Sequence, residues 1–298
     1  MSRLKLIYKS KPFKHYLNSP LVILATVVLL IIAIAALLAP LIAPQNPYEI
    51  GGLMLRDSLK PPVWQEGGDL PFLLGTDMQG RDVFSTILYG SRTSLFVGVS
   101  VVIIAGGFGA LIGLLAGYYG GILDTIIMRI GDTVFSFSQT LIAMLLLGIF
   151  QRSSVILVIV AICISGWVQY ARTIRGQVLS VKEEEYILSS RAIGCNDFRI
   201  ITKHVLPNAI SPLLVIAAVH FGMAIMLEAT LSFLGVGVPV TQPSLGMMIS
   251  QGRDFLYAGN WWLVIFPGGV LMSIVFSLNL IADWLRDEFD PRIKNIQE

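Results

Sequence analysis

Side chains able to do chemistry are few in this chain and poorly placed to cooperate. The three histidines, His15, His204 and His220, are scattered along it. A nucleophile needs its base within hydrogen-bond reach, and no spacing here suggests such a pair. Cys163 lies in an apolar run and Cys195 follows Gly194; neither has metal-ligand spacing, and both read as unpaired thiols. No G-x-x-x-x-G-K-[ST] loop occurs, so any ATP-derived energy must come from other polypeptides. The residues offer no catalytic constellation, no metal site and no bound cofactor. One carboxylate stands out. Glu228 sits inside a long apolar stretch, where a charge is costly unless it faces a cavity or a partner. It reads either as a lining or gate residue that meets a cationic group, or as an interfacial glutamate capped by neighbouring loops.

The elements that hold these residues are set by composition. Of 298 residues, 55% are hydrophobic and only 13% charged, against about 25% charged in a soluble domain. Lipid must therefore be part of the solvent. The net charge of +2 is small and its basic residues are dispersed or flank apolar runs, so a nucleic-acid partner has no support.

A helix needs roughly 20 apolar residues to cross the hydrocarbon. Six runs qualify: Leu21–Ala43, Ser94–Ala116, Thr125–Phe150, Ser154–Ala171, Ala209–Leu234 and Trp262–Trp284. The expected fold is all-α, with one N-terminal helix plus a five-helix core. The first run follows Arg3, Lys5, Lys9, Lys11 and Lys14, but its length and its prolines, Pro40 and Pro44, read as an uncleaved span rather than a secretory leader. Lys and Arg favour the cytoplasmic side. With the N-terminus inside, most of the 21 basic residues fall inside too, and both termini are cytoplasmic.

This gives a cytoplasmic N-terminus over residues 1–20 and a periplasmic segment over 44–93. A core follows over 94–284, then a cytoplasmic tail over 285–298. Within the third span, Arg129 and Asp132 are expected to pair at the inner boundary. His220 is expected to pack inside the fifth. Gly109, Gly113 and Gly117 recur every four residues on the second, the spacing that lets helix backbones approach closely. That stripe suits packing within the chain or against a sister subunit.

The internal segment over 173–208 carries the most information. Lys182 to Gly194 reads as a short helix, acidic at its start and stopped by glycine. Asn196 or Asp197 can cap a second short helix through Phe198, Ile200 and Ile201. Pro207 is expected to end it at the entrance to the fifth span. The product is a knob below the bilayer with more apolar side chains, Tyr186, Ile193 and Phe198 among them, than a solvated loop needs. The residues alone leave two uses open: docking on a partner, or resting on the lipid surface.

This knob resembles the cytoplasmic loop of binding-protein-dependent ABC permeases. Gly194 and Leu206-Pro207 fall at that family's spacing, while Leu188, Ser189 and Ser190 replace its Glu-Ala-Ala and His204 its Ile. Those departures are similar to the dipeptide, oligopeptide and nickel branch, which Glu185-Tyr186, Arg191-Ala192, Gly194 and His204-Val-Leu-Pro-Asn208 fit. Leu74-Gly-Thr-Asp-Met-Gln-Gly-Arg-Asp-Val83, Tyr89-Gly-Ser-Arg92 and Tyr118-Tyr-Gly-Gly121 extend the resemblance along the chain. Met128-Arg-Ile-Gly-Asp132, Leu231-Ser-Phe-Leu-Gly-Val-Gly237, Trp261-Trp262 and Leu285-Arg-Asp-Glu-Phe-Asp-Pro-Arg292 complete it.

The resemblance implies a C-type permease subunit with the type I importer fold in a bacterial inner membrane. It implies a sister permease, two ATP-binding subunits carrying ATP and Mg, and an external substrate-binding protein. Glu185, Tyr186, Leu188, Ser189, Ser190, Arg191, Ala192, Gly194, His204, Leu206 and Pro207 would then couple to an ATPase, closure of which tilts the spans. Short peptides are the implied cargo, with nickel, a metal chelate or glutathione as alternatives. A carrier driven by an ion gradient is the rival class; it predicts an inverted repeat and midplane ionisable residues, neither of which the sequence displays.

Overall fold

A computed structural model describes residues 16–48, 55–150, 153–239 and 241–289. The N-terminal basic cluster, Arg152, and Arg292 and Lys294 of the tail lie outside the described residues. Those described are mainly helical. Among the described residues five helices are long and apolar enough to cross a membrane, and a sharply bent pair, Gly121–Phe135 with Gln139–Phe150, passes the same test when taken together.

Helix α1 (Pro20–Leu37) opens with proline in its first turn, where the missing N–H costs nothing. It runs almost directly into the short α2 (Ala39–Ile42). Helix α3 (Val83–Tyr119) is longer than its apolar run, beginning 11 residues before Ser94. Asp82 is the reason: its carboxylate accepts from the Ser85 amide at 2.8 Å and the Ser85 hydroxyl at 2.6 Å. Burial pushes this carboxyl, which lies outside the span, above the usual carboxylate range. Gly120, at φ 65°, stops the helix in a conformation that side chains disfavour.

The third apolar run is two helices rather than one. Helices α4 (Gly121–Phe135) and α5 (Gln139–Phe150) meet at 85°. Ser136 turns its hydroxyl back onto the Asp132 carbonyl at 2.8 Å, a local bond that competes with helix continuation. Helix α6 (Val155–Val181) returns alongside α3.

The small-residue stripe of α3 faces α6. A Cβ on Gly109 or Gly113 would collide with the carbonyl oxygens of Trp167 and Ala171, and one on Gly117 would stand 2.9 Å from Val178 Cβ. Backbone-to-backbone approach thus gives α3 and α6 the most extensive helix contact among the described residues. Its seam holds Val97, Val101, Ala105, Val158, Ile162 and Tyr170. His220 is buried beside Tyr170, with ring centroids 4.7 Å apart.

After α6 come α7 (Glu185–Ala192), α8 (Asp197–Ile200) and α9 (Leu206–Phe233). Contrary to expectation, Pro207 ends nothing. Ile201–Val205 form a π-turn, and the Leu206 N–H donates to the Ile201 carbonyl five residues back. The widened turn accommodates a proline that has no N–H to offer, so residues 197–233 run as one helix.

Helix α10 (Leu245–Arg253) caps the far end of the bundle, and α11 (Trp262–Phe289) packs against α9, α10 and α1. The segment before α3 is folded onto this end. Arg81 pairs with Asp77 at 2.6 Å and reaches Gln251 Oε1 at 3.2 Å, while Trp262 Nε1 donates to the Thr76 carbonyl at 3.3 Å. The residues from Leu74 to Val83 are therefore a buckle between α3, α10 and α11 rather than a solvated loop.

Candidate coupling surface and buried polar network

The knob is anchored by its buried residues and exposes the rest. Ile187 of α7 and Ile200 of α8 are both 0% exposed, packed with Leu114 and Tyr118 of α3 and Ile174 and Val178 of α6. Around them Tyr186, Leu188, Ile193 and Phe198 face outward, Ile193 at 83% and Phe198 at 73% exposure. Glu185, Ser189, Arg191, Ala192, Gly194, Leu206 and Pro207 are exposed as well, whereas Ser190 and His204 are half-buried.

Gly194 has φ 85° and open space where a Cβ would stand, so conformation rather than crowding calls for glycine here. Asn196 caps α8 by accepting from the Phe198 amide at 3.2 Å. The resemblance motifs, distant in sequence, meet at this point. Tyr186 and His204 rings lie 6.0 Å apart, and Asn208 Nδ2 donates to the Tyr186 hydroxyl at 3.3 Å and the His204 carbonyl at 2.7 Å.

Two further links join the knob to the spans, and residue patterns did not single them out. The Tyr118 hydroxyl donates to Asp197 at 2.5 Å, and Arg191 lies over the Tyr118 ring at 5.0 Å. Tyr118 was visible only as part of a motif without a role. Ile187 and Ile200 carried the one legible signal, apolar positions inside a polar segment.

The ion pairs at this end differ from the expected one. Asp132 pairs with Arg172 of α6 at 2.7 Å, not with Arg129 of its own helix. Arg175 grips Asp124 with two nitrogens, and the Arg172 guanidinium covers the Phe135 ring at 4.6 Å. Packing of α4 on α6 brings the α6 arginines onto its carboxylates.

Glu228 lies at the opposite end of the bundle and is 0% exposed. Its two oxygens accept from Ser94 of α3 and Ser232 of α9, each at 2.8 Å. The Ser232 hydroxyl also accepts from the Val238 amide at 3.2 Å. Each of its oxygens thus has a hydroxyl donor, and the network ties α3, α9 and the following loop together.

Apolar spans stitched by small residues and a knob with an apolar exposed face define a helical membrane protein. Comparison with known proteins agrees. Residues 109–295 match the binding-protein-dependent transport system inner membrane component, and residues 13–62 match the N-terminal TM domain of oligopeptide transport permease C. The chain belongs to the family of binding-protein-dependent transport system inner membrane components.

Among similar proteins, the dipeptide transport system permease protein DppC of Haemophilus influenzae is 39% identical over 91% of this chain and 90% of its own. DppC of Bacillus subtilis is 34% identical over 99% and 89%, and the oligopeptide permease OppC of that organism 33% over 94% and 88%. A solved amino acid ABC transporter shares the fold, with a TM-score of 0.53 over 69% of this chain and 95% of that one at 13% identity.

Proposed function

We propose that this chain is half of the translocation pathway of an ATP-driven importer of di- and oligopeptides. Its sister permease supplies the other half, two ATP-binding subunits hydrolyse ATP with Mg, and an external binding protein delivers cargo. The carrying observation is the knob, rigidly fixed to α3 and α6 by Ile187 and Ile200 while Tyr186, Leu188, Ile193 and Phe198 face outward. An apolar patch held on a rigid base suits a socket on a protein, whereas a lipid-resting helix pair needs no such base. The names of the relatives support peptides as cargo.

On this reading the knob and both termini are cytoplasmic, and the buckle around Arg81 belongs to the periplasmic face that receives the binding protein. The core over 94–284 carries the motion, with segment 173–208 as its handle. The hydroxyls around Glu228 support its role as a capped, structural carboxylate rather than a gate. Affinity purification of the tagged chain from its own membrane tests the assignment. Recovery of a second permease and two ATPases is expected; a homo-oligomer that moves solute without ATPases would overturn it.

A further inference from the structure

A cleft of about 850 Å³ opens sideways between α1, α3 and α9. Its walls are apolar: Leu29 and Leu30 of α1, Phe96 and Val99 of α3, and Phe221 of α9. Leu30, Phe96 and Val99 are 53%, 58% and 44% exposed. An apolar cleft facing hydrocarbon accepts any acyl chain and by itself selects nothing.

Selectivity comes from its polar end, where Arg92 lines the cleft beside Tyr48 and Gln242. Arg92 stands two residues before the apolar run that starts at Ser94, which places it at the hydrocarbon boundary. Among the ion pairs of the described residues none involves Arg92. Arg92 is exposed at this boundary, so its guanidinium can meet a lipid headgroup, and phosphate oxygens suit its paired N–H groups. Seven residues further along the helix, about 10 Å deeper at 1.5 Å per residue, Val99 still lines the wall.

We propose that this cleft is a binding site for one anionic phospholipid, its phosphate on Arg92 and an acyl chain between α1 and α3. The lipid fills the space that α1 leaves against the core and fastens the N-terminal span to it. On the proposed orientation it belongs to the outer leaflet. The inference rests on the membrane-spanning fold and is independent of the cargo. A second protein surface would have to bring a carboxylate to Arg92, and a zwitterionic lipid offers the same phosphate with an ammonium group that offsets its attraction to the cation.

The assembled transporter, reconstituted in nanodiscs of phosphatidylethanolamine with 20% phosphatidylglycerol (roughly bacterial proportions, within the range in which anionic lipids attract cations), provides the test. Lipids that survive detergent exchange are counted by mass spectrometry for wild type, Arg92→Gln and Arg92→Lys. Wild type should keep phosphatidylglycerol over phosphatidylethanolamine by roughly fivefold, Arg92→Gln should lose that preference, and Arg92→Lys should keep part of it. A photoactivatable phosphatidylglycerol added to wild type provides a readout that needs no variant, and should label peptides containing Leu30 and Phe96. Equal retention in wild type and Arg92→Gln would overturn the proposal. So would a photo-crosslinker at Phe96 that captures the sister permease instead of lipid.

Discussion

Truncating Ile187 to alanine removes the side chain that pins α7 to the spans. Ile187 is 0% exposed and shares its cluster with Ile174, Val178, Ile200 and Val205. Buried isoleucine-to-alanine changes cost about 2–5 kcal/mol, the lower end where the surroundings can collapse. A short helix at the edge of the bundle can relax, so about 2 kcal/mol applies, equivalent to a roughly 30-fold shift in the equilibrium for lifting the knob. Hydrogen exchange on the assembled transporter reads that shift directly. Amides of residues 185–200 should exchange about 30-fold faster, with those of α3 and α6 unchanged. Binding-protein-stimulated ATP hydrolysis should fall towards the basal rate, because a loosened handle transmits less motion. Unchanged exchange together with unchanged stimulation would refute the idea that these contacts fix the knob.

Gly113→Leu should prevent α3 from seating on α6, since even its Cβ meets the Ala171 carbonyl; overpacking costs about 1–3 kcal/mol or more. Size-exclusion chromatography should show lost assembly, and a wild-type profile would contradict the close approach. Gly194→Val should lose transport while the complex still assembles, because a β-branched residue at φ 85° costs about 1–2 kcal/mol, whereas Gly194→Asn should transport nearly normally. Equal transport by the two variants would remove the conformational argument. Glu228→Ala should lower Tm by leaving the Ser94 and Ser232 hydroxyls without their acceptor, and Glu228→Gln should lower it less. Loss of transport at unchanged Tm in Glu228→Gln would favour a gate after all.

Much of the architecture was legible because lipid imposes a length on every span. Apolar runs located the candidate spans and glycine at 194 the turn of the knob, while the cap after it, open between Asn196 and Asp197 in the sequence, is Asn196 in the structure. What escaped were features decided by neighbours. The 85° break between α4 and α5 occurs inside one apolar stretch, where hydropathy has no contrast to report. Pro207 reads locally as a terminator, yet a π-turn one residue wider absorbs it. Arg172 and Asp132 are 40 residues apart, and only the packing of α4 on α6 makes them partners. The extension of α3 back to Val83 depended on Asp82 as a cap, a polar signal outside the apolar run.

The central claim, that the exposed knob docks on an ATPase, is tested most directly by a photo-crosslinking residue in place of Phe198 in the assembled transporter. Phe198 is 73% exposed, so the probe should not disturb the buried anchor. The account predicts a crosslink to an ATP-binding subunit that changes in yield between nucleotide-free and ATP-bound states. Crosslinks to lipid alone, the same in both states, would contradict it and leave the knob as a surface-resting helix pair.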